Sequence, residues 1–286
     1  MEHNMTYGSD YSFIPAVSIG SGTGREVRPD IWCQTVQIVN VLFVGDPGRP
    51  DDWVLVDAGM PRSADAIVAA VRERFGSDRR PAAIVLTHGH FDHVGAIIEL
   101  VRHWEVPVYA HERELPYLTG KLDYPEPDSS VEGGLIAKMS PLFPNESIDL
   151  GDRVTALPAD GSVPGLPEWR WVHTPGHTPG HVSLFRERDR TLLAGDAFVT
   201  VRQDSLYSVL VQEQEISGPP RYLTPDWAAA RESVVRLAAL KPSVAATGHG
   251  VPMAGEPLAE GLSRLAAEFD RIAVPDYGRY VNDVNH

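Results

Sequence analysis

Short apolar runs of strand length alternate with longer stretches of helical spacing over most of the chain. In the first half, apolar runs bounded by Gly, Pro and Asp predict strands at 36–44, 53–56, 82–86 and 106–110. Helical spacing between them predicts helices at 64–75, with Ser63 as N-cap, and at 94–104. The first half is therefore predicted to mix strands and helices.

The second half repeats this alternation without repeating the residues. Its predicted strands are 153–157, 169–173, 180–186, 191–194 and 242–246. Helices are predicted at 227–240, where Asp226 is the N-cap, and at 257–272. Two mixed halves of this kind predict an α+β fold with two stacked sheets and helices outside.

The boundaries of the domain follow from where this patterning begins and ends. We predict one domain over 31–273, preceded by an arm or loop at 1–30 and followed by a polar tail at 274–286. Within the domain, residues 112–147 are rich in Pro and Gly. They predict an inserted loop region over one face, a kind of segment that often covers a site.

The amino-acid composition limits which binding partners and which cellular compartment are expected for the protein. A formal net charge of −14 disfavours nucleic acid, because an acidic surface repels phosphate backbones. No apolar run is long enough for a membrane span, and the first residues lack a secretory pattern. Cys33 is the only cysteine, which fits a reduced, cytoplasmic setting. We expect a small-molecule partner and no membrane partner, and the N-terminal arm either packs on the body or mediates a homodimer.

Four candidate metal ligands follow the predicted strand at 82–86. They form what we call the first cluster: His88, His90, Asp92 and His93. Imidazole and carboxylate are ligands that zinc, manganese and iron accept. Because the stretch lies between a strand and a helix, its turn can bring these side chains to one point.

Three further candidates, the second cluster, also follow predicted strands. His177 stands in a turn of Pro and Gly, Asp196 follows a strand and a glycine, and His249 is flanked by glycines. A lone carboxylate is costly to bury unless it binds a cation. Both clusters together hold five histidines and two aspartates, all at strand ends, where a sheet can deliver them to one rim.

Polar residues near the clusters are expected to have supporting roles. One turn cannot aim His173, His177 and His181 at one metal, so we assign His173 and His181 to packing or to support of the ligands. His111 is expected to anchor a loop or line a pocket. Asp57 also follows a strand, and we expect it to accept backbone hydrogen bonds and hold the turn of the first cluster.

The H-G-H-F-D-H stretch at 88–93 and the second cluster together resemble the metal-binding pattern of the metallo-β-lactamase superfamily. The resemblance covers about residues 35–255. It implies a four-layer αββα sandwich with the metal site at the edge of the two sheets. It also implies a division of ligands. One metal takes His88, His90 and His177, the other takes Asp92, His93 and His249, and Asp196 bridges them.

This chemistry predicts a hydrolase. Two divalent metals about 3.5–4 Å apart can share a bridging hydroxide, because metal binding lowers the pKa of water to about 7. Asp92 and Asp196 are the expected catalytic residues, since they offset the metal charge and orient the bridging oxygen. We predict two metals, zinc first and manganese or iron as alternatives, and cleavage of an ester, thioester or lactone bond. Histidines bind metal only when neutral, so activity should fall in acid.

Other branches of the superfamily supply alternatives. Homoserine-lactone hydrolases resemble the chain but place a Tyr three residues after the bridging Asp, where this chain has Val199. Glyoxalase II-like thioesterases share the ligands. Persulfide dioxygenases, which are oxidoreductases, resemble the chain with a single iron at His88, His177 and Asp196. A phosphodiesterase and a non-catalytic binding protein are further alternatives.

Substrate-contacting residues are predicted from their positions in the chain. Phe91 and Phe198 each adjoin a ligand and are expected to line the rim. Arg202, Tyr207 and Tyr222 lie in an irregular stretch that is a candidate pocket wall, with Arg202 as a partner for a substrate carboxylate. Ordinary packing or a place on the surface is the alternative for each of them.

Overall fold

The computed structural model describes residues 4–11, 18, 20–49, 52–77, 79–131, 134–201 and 214–281. They form two compact units. The first unit comprises Met1–Tyr124 and Pro144–Trp171, and the second comprises Pro125–Phe143 and Val172–His286. Each unit has its own apolar core. The single domain predicted over 31–273 stays a prediction.

The first unit is built on a seven-stranded sheet in which spatial order follows chain order. Its strands are β1 Gly24–Arg28, β2 Ile31–Val36, β3 Val39–Gly45, β4 Trp53–Val56, β5 Ala83–Val85, β6 Val108–Ala110 and β7 Val154–Ala156. Neighbours from β1 to β4 pair antiparallel, and those from β4 to β7 pair parallel. Parallel neighbours need crossover connections, and the crossover from β5 to β6 contains the first cluster.

The helices of the first unit are α1 Ala64–Phe75, α2 Phe91–Val94, α3 Ile97–Trp104 and α4 Leu115–Leu118. On α1, the buried residues Ile67, Val71 and Phe75 recur at helical spacing and face the core. Trp53 of β4 stacks on Phe75 with 4.5 Å between ring centroids and meets Trp104 edge-on at 6.1 Å. Burial of such side chains contributes about 1.5–3 kcal/mol each, which fixes α1 and α3 against the sheet.

One predicted strand is a hairpin in the structure. The run at 36–44 contains the end of β2, a turn and most of β3, and the turn places Gln37 at a φ of 60°. Both strands are buried throughout most of their length, so the apolar pattern continues across the turn and hides it. The arm predicted at 1–30 likewise contains β1, whose half-exposed residues give little apolar signal.

The helix predicted at 94–104 is broken into α2 and α3 at Gly95 and Ala96. Their amides turn to the loop after β4, where Gly95 N donates to Gly59 O at 2.7 Å and Ala96 N donates to Ala58 O at 3.3 Å. These two bonds hold the loop after β4 against the turn that carries the first cluster.

Next in the chain, β8 Ser162–Val163 and β9 Leu166–His173 pair antiparallel. The strands of the second unit are β10 Val182–Arg186, β11 Thr191–Gly195, β12 Val199–Val201, β13 Gln214–Ser217, β14 Val244–Thr247 and β15 Met253–Ala254. β11 and β14 are parallel neighbours, flanked by β10 and β15 in antiparallel pairing. Asp196 and His249 follow β11 and β14, so the carboxyl ends of adjacent parallel strands carry both residues.

The helices described in the second unit are α5 Gly134–Met139, α6 Trp227–Ala239, α7 Gly255–Ala267 and α8 Phe269–Ile272. Asp226 caps α6 as predicted, since its side chain accepts a hydrogen bond from Ala229 N. The helix predicted at 257–272 is divided into α7 and α8. No helix in the described ranges has the length and apolar character that crossing a membrane requires. The mixture of sheets and helices confirms the predicted α+β class.

We expect Gly95→Ala to destabilise the fold. A methyl group at Gly95 would lie 2.2 Å from Pro61 N and 2.4 Å from Met60 C, and both atoms belong to the backbone. Such overpacking should lower the free energy of unfolding by about 1–3 kcal/mol in a urea titration. Gly48→Ala is the control, because the atoms nearest to its methyl group would belong to the side chain of Asp46, with Oδ1 at 3.1 Å. Equal stability of the two variants would contradict the close approach at Gly95.

Candidate metal centre

The first cluster lies between β5 and the end of α2, and its four side chains are buried. The candidate ligand atom of His88 lies within 4.8 Å of that of His90 and also of that of His93. The candidate ligand atoms of Asp92 and His93 lie within 4.8 Å of each other. The ring centroid of His88 lies 4.8 Å from that of His90 and 4.1 Å from that of His93. The strand-to-helix turn thus brings these side chains together within the first unit.

Asp57 holds this turn, as expected from the sequence. Its Oδ1 accepts a hydrogen bond from Thr87 N at 2.7 Å, and its Oδ2 accepts from Thr87 Oγ1 at 2.8 Å. His93 Nδ1 lies 2.8 Å from the same Oδ2. The φ of Asp57 is 63°, in the left-handed region that few non-glycine residues occupy. The fold keeps the backbone of Asp57 in this strained conformation, in which its carboxylate binds both Thr87 and His93.

These hydrogen bonds fix the tautomers of two imidazoles. An ionised carboxylate only accepts, so His93 Nδ1 carries the proton that it shares with Asp57. The Thr87 hydroxyl has one proton, which goes to Asp57, so Thr87 Oγ1 accepts from His88 Nδ1 at 3.0 Å. In both rings Nε2 is then the nitrogen with the lone pair, which is the form that binds a metal.

A second hydrogen-bonded group holds the turn at Gly89. Gly89 N donates to Glu114 Oε2 at 3.0 Å and lies 3.1 Å from Tyr124 OH, which itself donates to Glu114 Oε2. Burial raises the pKa of Tyr124 well above its ordinary value, and Glu114 adds to the rise, so the phenol keeps its proton. Glu114 has no signal in the sequence, because only its complete burial distinguishes it from other acids of a proline-rich loop.

The second cluster converges on one carboxylate oxygen. Asp196 Oδ2 lies 3.5 Å from His177 Nε2 and 3.3 Å from His249 Nε2, and all three side chains are buried. Thr224 Oγ1 donates to Pro220 O at 2.8 Å, so it accepts from His177 Nδ1 at 3.1 Å. His177 therefore also carries its lone pair on Nε2, and Thr224 is a supporting residue that no sequence pattern marked.

The turns that carry Asp196 and His249 are joined through their backbones. Gly248 N donates to Gly195 O at 2.8 Å. The carbonyl of His249 accepts from Thr247 Oγ1 at 2.6 Å and from Thr200 N at 3.3 Å. The two ligand candidates are thus held in one hydrogen-bonded turn structure at the ends of β11 and β14.

The remaining histidines have supporting contacts. His181 Nε2 accepts from Asp196 N at 2.9 Å, so it orients the backbone of Asp196. His173 Nε2 donates to Pro179 O at 2.9 Å within the same turn. His111 Nδ1 accepts from Arg113 N at 3.2 Å and holds its loop. Each contact agrees with the supporting role that the sequence indicated.

The predicted pocket residues differ in where the structure places them. Phe91 is buried at the start of α2, beside His90 in the chain. Phe198 is fully buried and packs in the apolar core of the second unit, and its place at the rim stays a prediction. Tyr222 packs against Phe143 with 5.5 Å between ring centroids. Arg202 and Tyr207 lie outside the described residues.

The donor set fits a divalent metal. Buried imidazoles whose protons are fixed on Nδ1, together with buried carboxylates, are ligands that zinc and iron accept. Asp57, Thr87 and Thr224 accept hydrogen bonds from the Nδ1 atoms of the histidines, which is the support that metal-binding histidines usually have. The fold and the two clusters define the class of protein. It is an α+β protein with metal-binding groups of histidine and aspartate at the ends of its strands.

The chain belongs to the metallo-β-lactamase superfamily, as the resemblance implied, because the model of that superfamily matches residues 34–249. It is 52% identical to "Probable metallo-hydrolase YflN" of Bacillus subtilis (strain 168) over 91% of this chain and 98% of that protein. It is 28% identical to "Hydroxyacylglutathione hydrolase GloC" of Haemophilus influenzae over 50% of this chain and 59% of that protein.

Solved structures share the fold. The crystal structure of TTHA1623 in a di-iron-bound form has a TM-score of 0.52 and 28% sequence identity, covering 78% of this chain and 93% of that one. MEM-A1, a subclass B3 metallo-β-lactamase from a soil metagenome library, has a TM-score of 0.55 and 21% identity, covering 88% of this chain and 86% of that one. The chain therefore has the metallo-β-lactamase fold, and its two relatives described above are named a probable metallo-hydrolase and a hydroxyacylglutathione hydrolase.

We expect Asp57→Asn to weaken both the fold and the metal affinity. The carboxylate accepts from three donors, and an amide would place its NH2 against at least one of them. The free energy of unfolding should fall by about 1–3 kcal/mol, and the affinity for zinc by about 10–100-fold. Urea titration and chelator competition measure the two effects, with the exposed Asp52→Asn as the matched control. Unchanged affinity in a folded Asp57→Asn protein would contradict this role.

Proposed function

We propose that the protein is a metal-dependent hydrolase of small molecules in the cytoplasm, with two divalent metals bound by both clusters. The observation that carries the proposal is an oxygen within 3.1 Å of Nδ1 in each of His88, His93 and His177, an arrangement that leaves Nε2 of each ring ready to bind. The family resemblance supports the division in which His88, His90 and His177 take one metal. The other metal takes Asp92, His93 and His249, and Asp196 is shared.

The chain's own residues prepare the site for hydrolysis. Divalent metals, when bound, supply Lewis acidity toward the scissile carbonyl and lower the pKa of a water. Asp92 and Asp196 reduce the positive charge there and orient the water by accepting its hydrogen bonds. Burial of both carboxylates in protein keeps these interactions strong, because bulk water does not screen them.

Two observations bear on the bond that is cleaved. The relative GloC is named a hydroxyacylglutathione hydrolase, which supports a thioester as the first substrate class to test. Val199 lies fully buried in β12, at the position where the lactone hydrolases carry a Tyr. A valine offers no hydrogen bond to a substrate, so lactones rank behind thioesters and esters.

Metal analysis of the purified protein tests the proposal directly. We expect two equivalents of zinc, manganese or iron per chain. Iron is a real candidate because the relative TTHA1623 is known in a di-iron-bound form. A single iron per chain, together with oxygen consumption on a persulfide, would replace the hydrolase with an oxidoreductase. Absence of any metal after reconstitution would overturn the proposed metal site.

We expect hydrolysis to depend on the first cluster. His90→Ala and Asp92→Asn each remove one proposed ligand, so metal affinity should fall by about 10–100-fold or more. Turnover of a panel of thioesters, arylesters, lactones and phosphodiesters should fall with it. His103→Ala is the matched control, since this histidine is exposed at the end of α3. Full activity in folded His90→Ala and Asp92→Asn proteins would exclude the proposed ligands.

A further inference from the structure

Gly89 lies between two proposed ligands, His88 and His90, and its backbone sets where both imidazoles point. A buried amide needs a hydrogen-bond acceptor, and leaving it without one costs about 1–3 kcal/mol. Glu114 Oε2 is that acceptor, at 3.0 Å from Gly89 N. The same oxygen also accepts from Tyr124 OH, so one carboxylate oxygen binds both the turn and the phenol.

The residues that meet Gly89 are themselves held by backbone hydrogen bonds. Glu114 N donates to His111 O at 2.8 Å, and Glu114 O accepts from Leu118 N at 3.2 Å at the start of α4. Tyr124 N donates to Asn145 O at 2.9 Å. The ring of Tyr124 stacks on that of Tyr117 with centroids 4.1 Å apart. These contacts fix the backbone from which each side chain reaches Gly89, and the stacking also restrains the ring of Tyr124.

Tyr124 also limits the turn by its size. Its ring centroid lies 4.7 Å from that of His90. A methyl group added at Gly89 would lie 2.5 Å from Tyr124 OH and 3.0 Å from Leu118 Cδ2. Hydrogen bonding and close packing thus act on the same peptide unit, the one that joins the two ligands.

We propose that Glu114 and Tyr124 are positioning residues that fix the metal-binding turn through the amide of Gly89. This inference rests on the proposed function, because it requires His88 and His90 to bind a metal. Glu114 and Tyr124 belong to the Pro- and Gly-rich region at 112–147, so part of this region then supports the metal site. It orients two ligands through the amide of the residue that joins them.

Zinc affinity, measured by competition with a chromophoric chelator, tests this role without any assay of turnover. Glu114→Ala should lower the affinity by about 10–100-fold, as loss of a residue that orients a ligand does. Tyr124→Phe removes one hydrogen bond and should lower it by about two- to tenfold. Glu114→Gln keeps an oxygen acceptor for Gly89 N and should recover most of the affinity. The exposed Glu112→Ala on the same segment is the control.

A second experiment uses the packing at Gly89. Gly89→Ala should weaken zinc binding because its methyl group meets the oxygen of Tyr124. Adding Tyr124→Phe removes that oxygen, so the double variant should lose less affinity than the two single losses combined. A purely structural role for these residues would lower the thermal stability of the metal-free protein without this non-additivity in metal affinity.

The outcomes separate this inference from the proposed function. If the wild-type protein binds no divalent metal, both fail. If the wild type binds zinc and folded Glu114→Ala binds it equally well, only the positioning role fails. Should Glu114→Ala not fold, Tyr124→Phe decides, and unchanged zinc affinity in that variant would overturn the proposal.

Discussion

One carboxylate, that of Asp57, is the constraint on which the first cluster depends. It binds the backbone and hydroxyl of Thr87 and the ring of His93, so it ties the end of β5 to α2. Its left-handed backbone conformation is unfavourable by itself. The surrounding core offsets this strain, because buried β4 and β5 hold both ends of the contact.

Two threonine hydroxyls determine which nitrogen of the neighbouring histidines carries the proton. Thr87 and Thr224 each donate their proton elsewhere and accept one from an imidazole Nδ1. The same arrangement occurs in both units, on unrelated backbone segments. Its effect is to decide the tautomer before any metal arrives, so a binding ion meets Nε2 lone pairs without rearrangement of the rings.

Much of this could be predicted from the sequence because it depends on local pattern. The α+β class, helix α1 and the cap at Asp226 follow from periodicity and capping chemistry. The ligand candidates follow from polar residues placed at strand ends. The hairpin at Gln37 could not be seen, because two buried strands give one continuous apolar run.

The supporting residues could not be predicted because their roles come from contacts distant in the chain. Glu114 meets Gly89 across 25 positions, and Thr224 meets His177 across 47. Neither has a spacing that distinguishes it from a surface residue. The burial of Phe198 in the apolar core of the second unit is likewise not visible from its place beside Asp196 in the chain.

The hydrogen bond from Gly248 N to Gly195 O has a consequence for motion. Because it joins the turns after β11 and β14, Asp196 and His249 cannot fluctuate independently while it is intact. Opening of either turn exposes the same amide to solvent, so the exchange rate of that single proton reports the local opening of both. A substitution that loosens one turn should therefore disorder the other, even where no side chain of the second turn has changed.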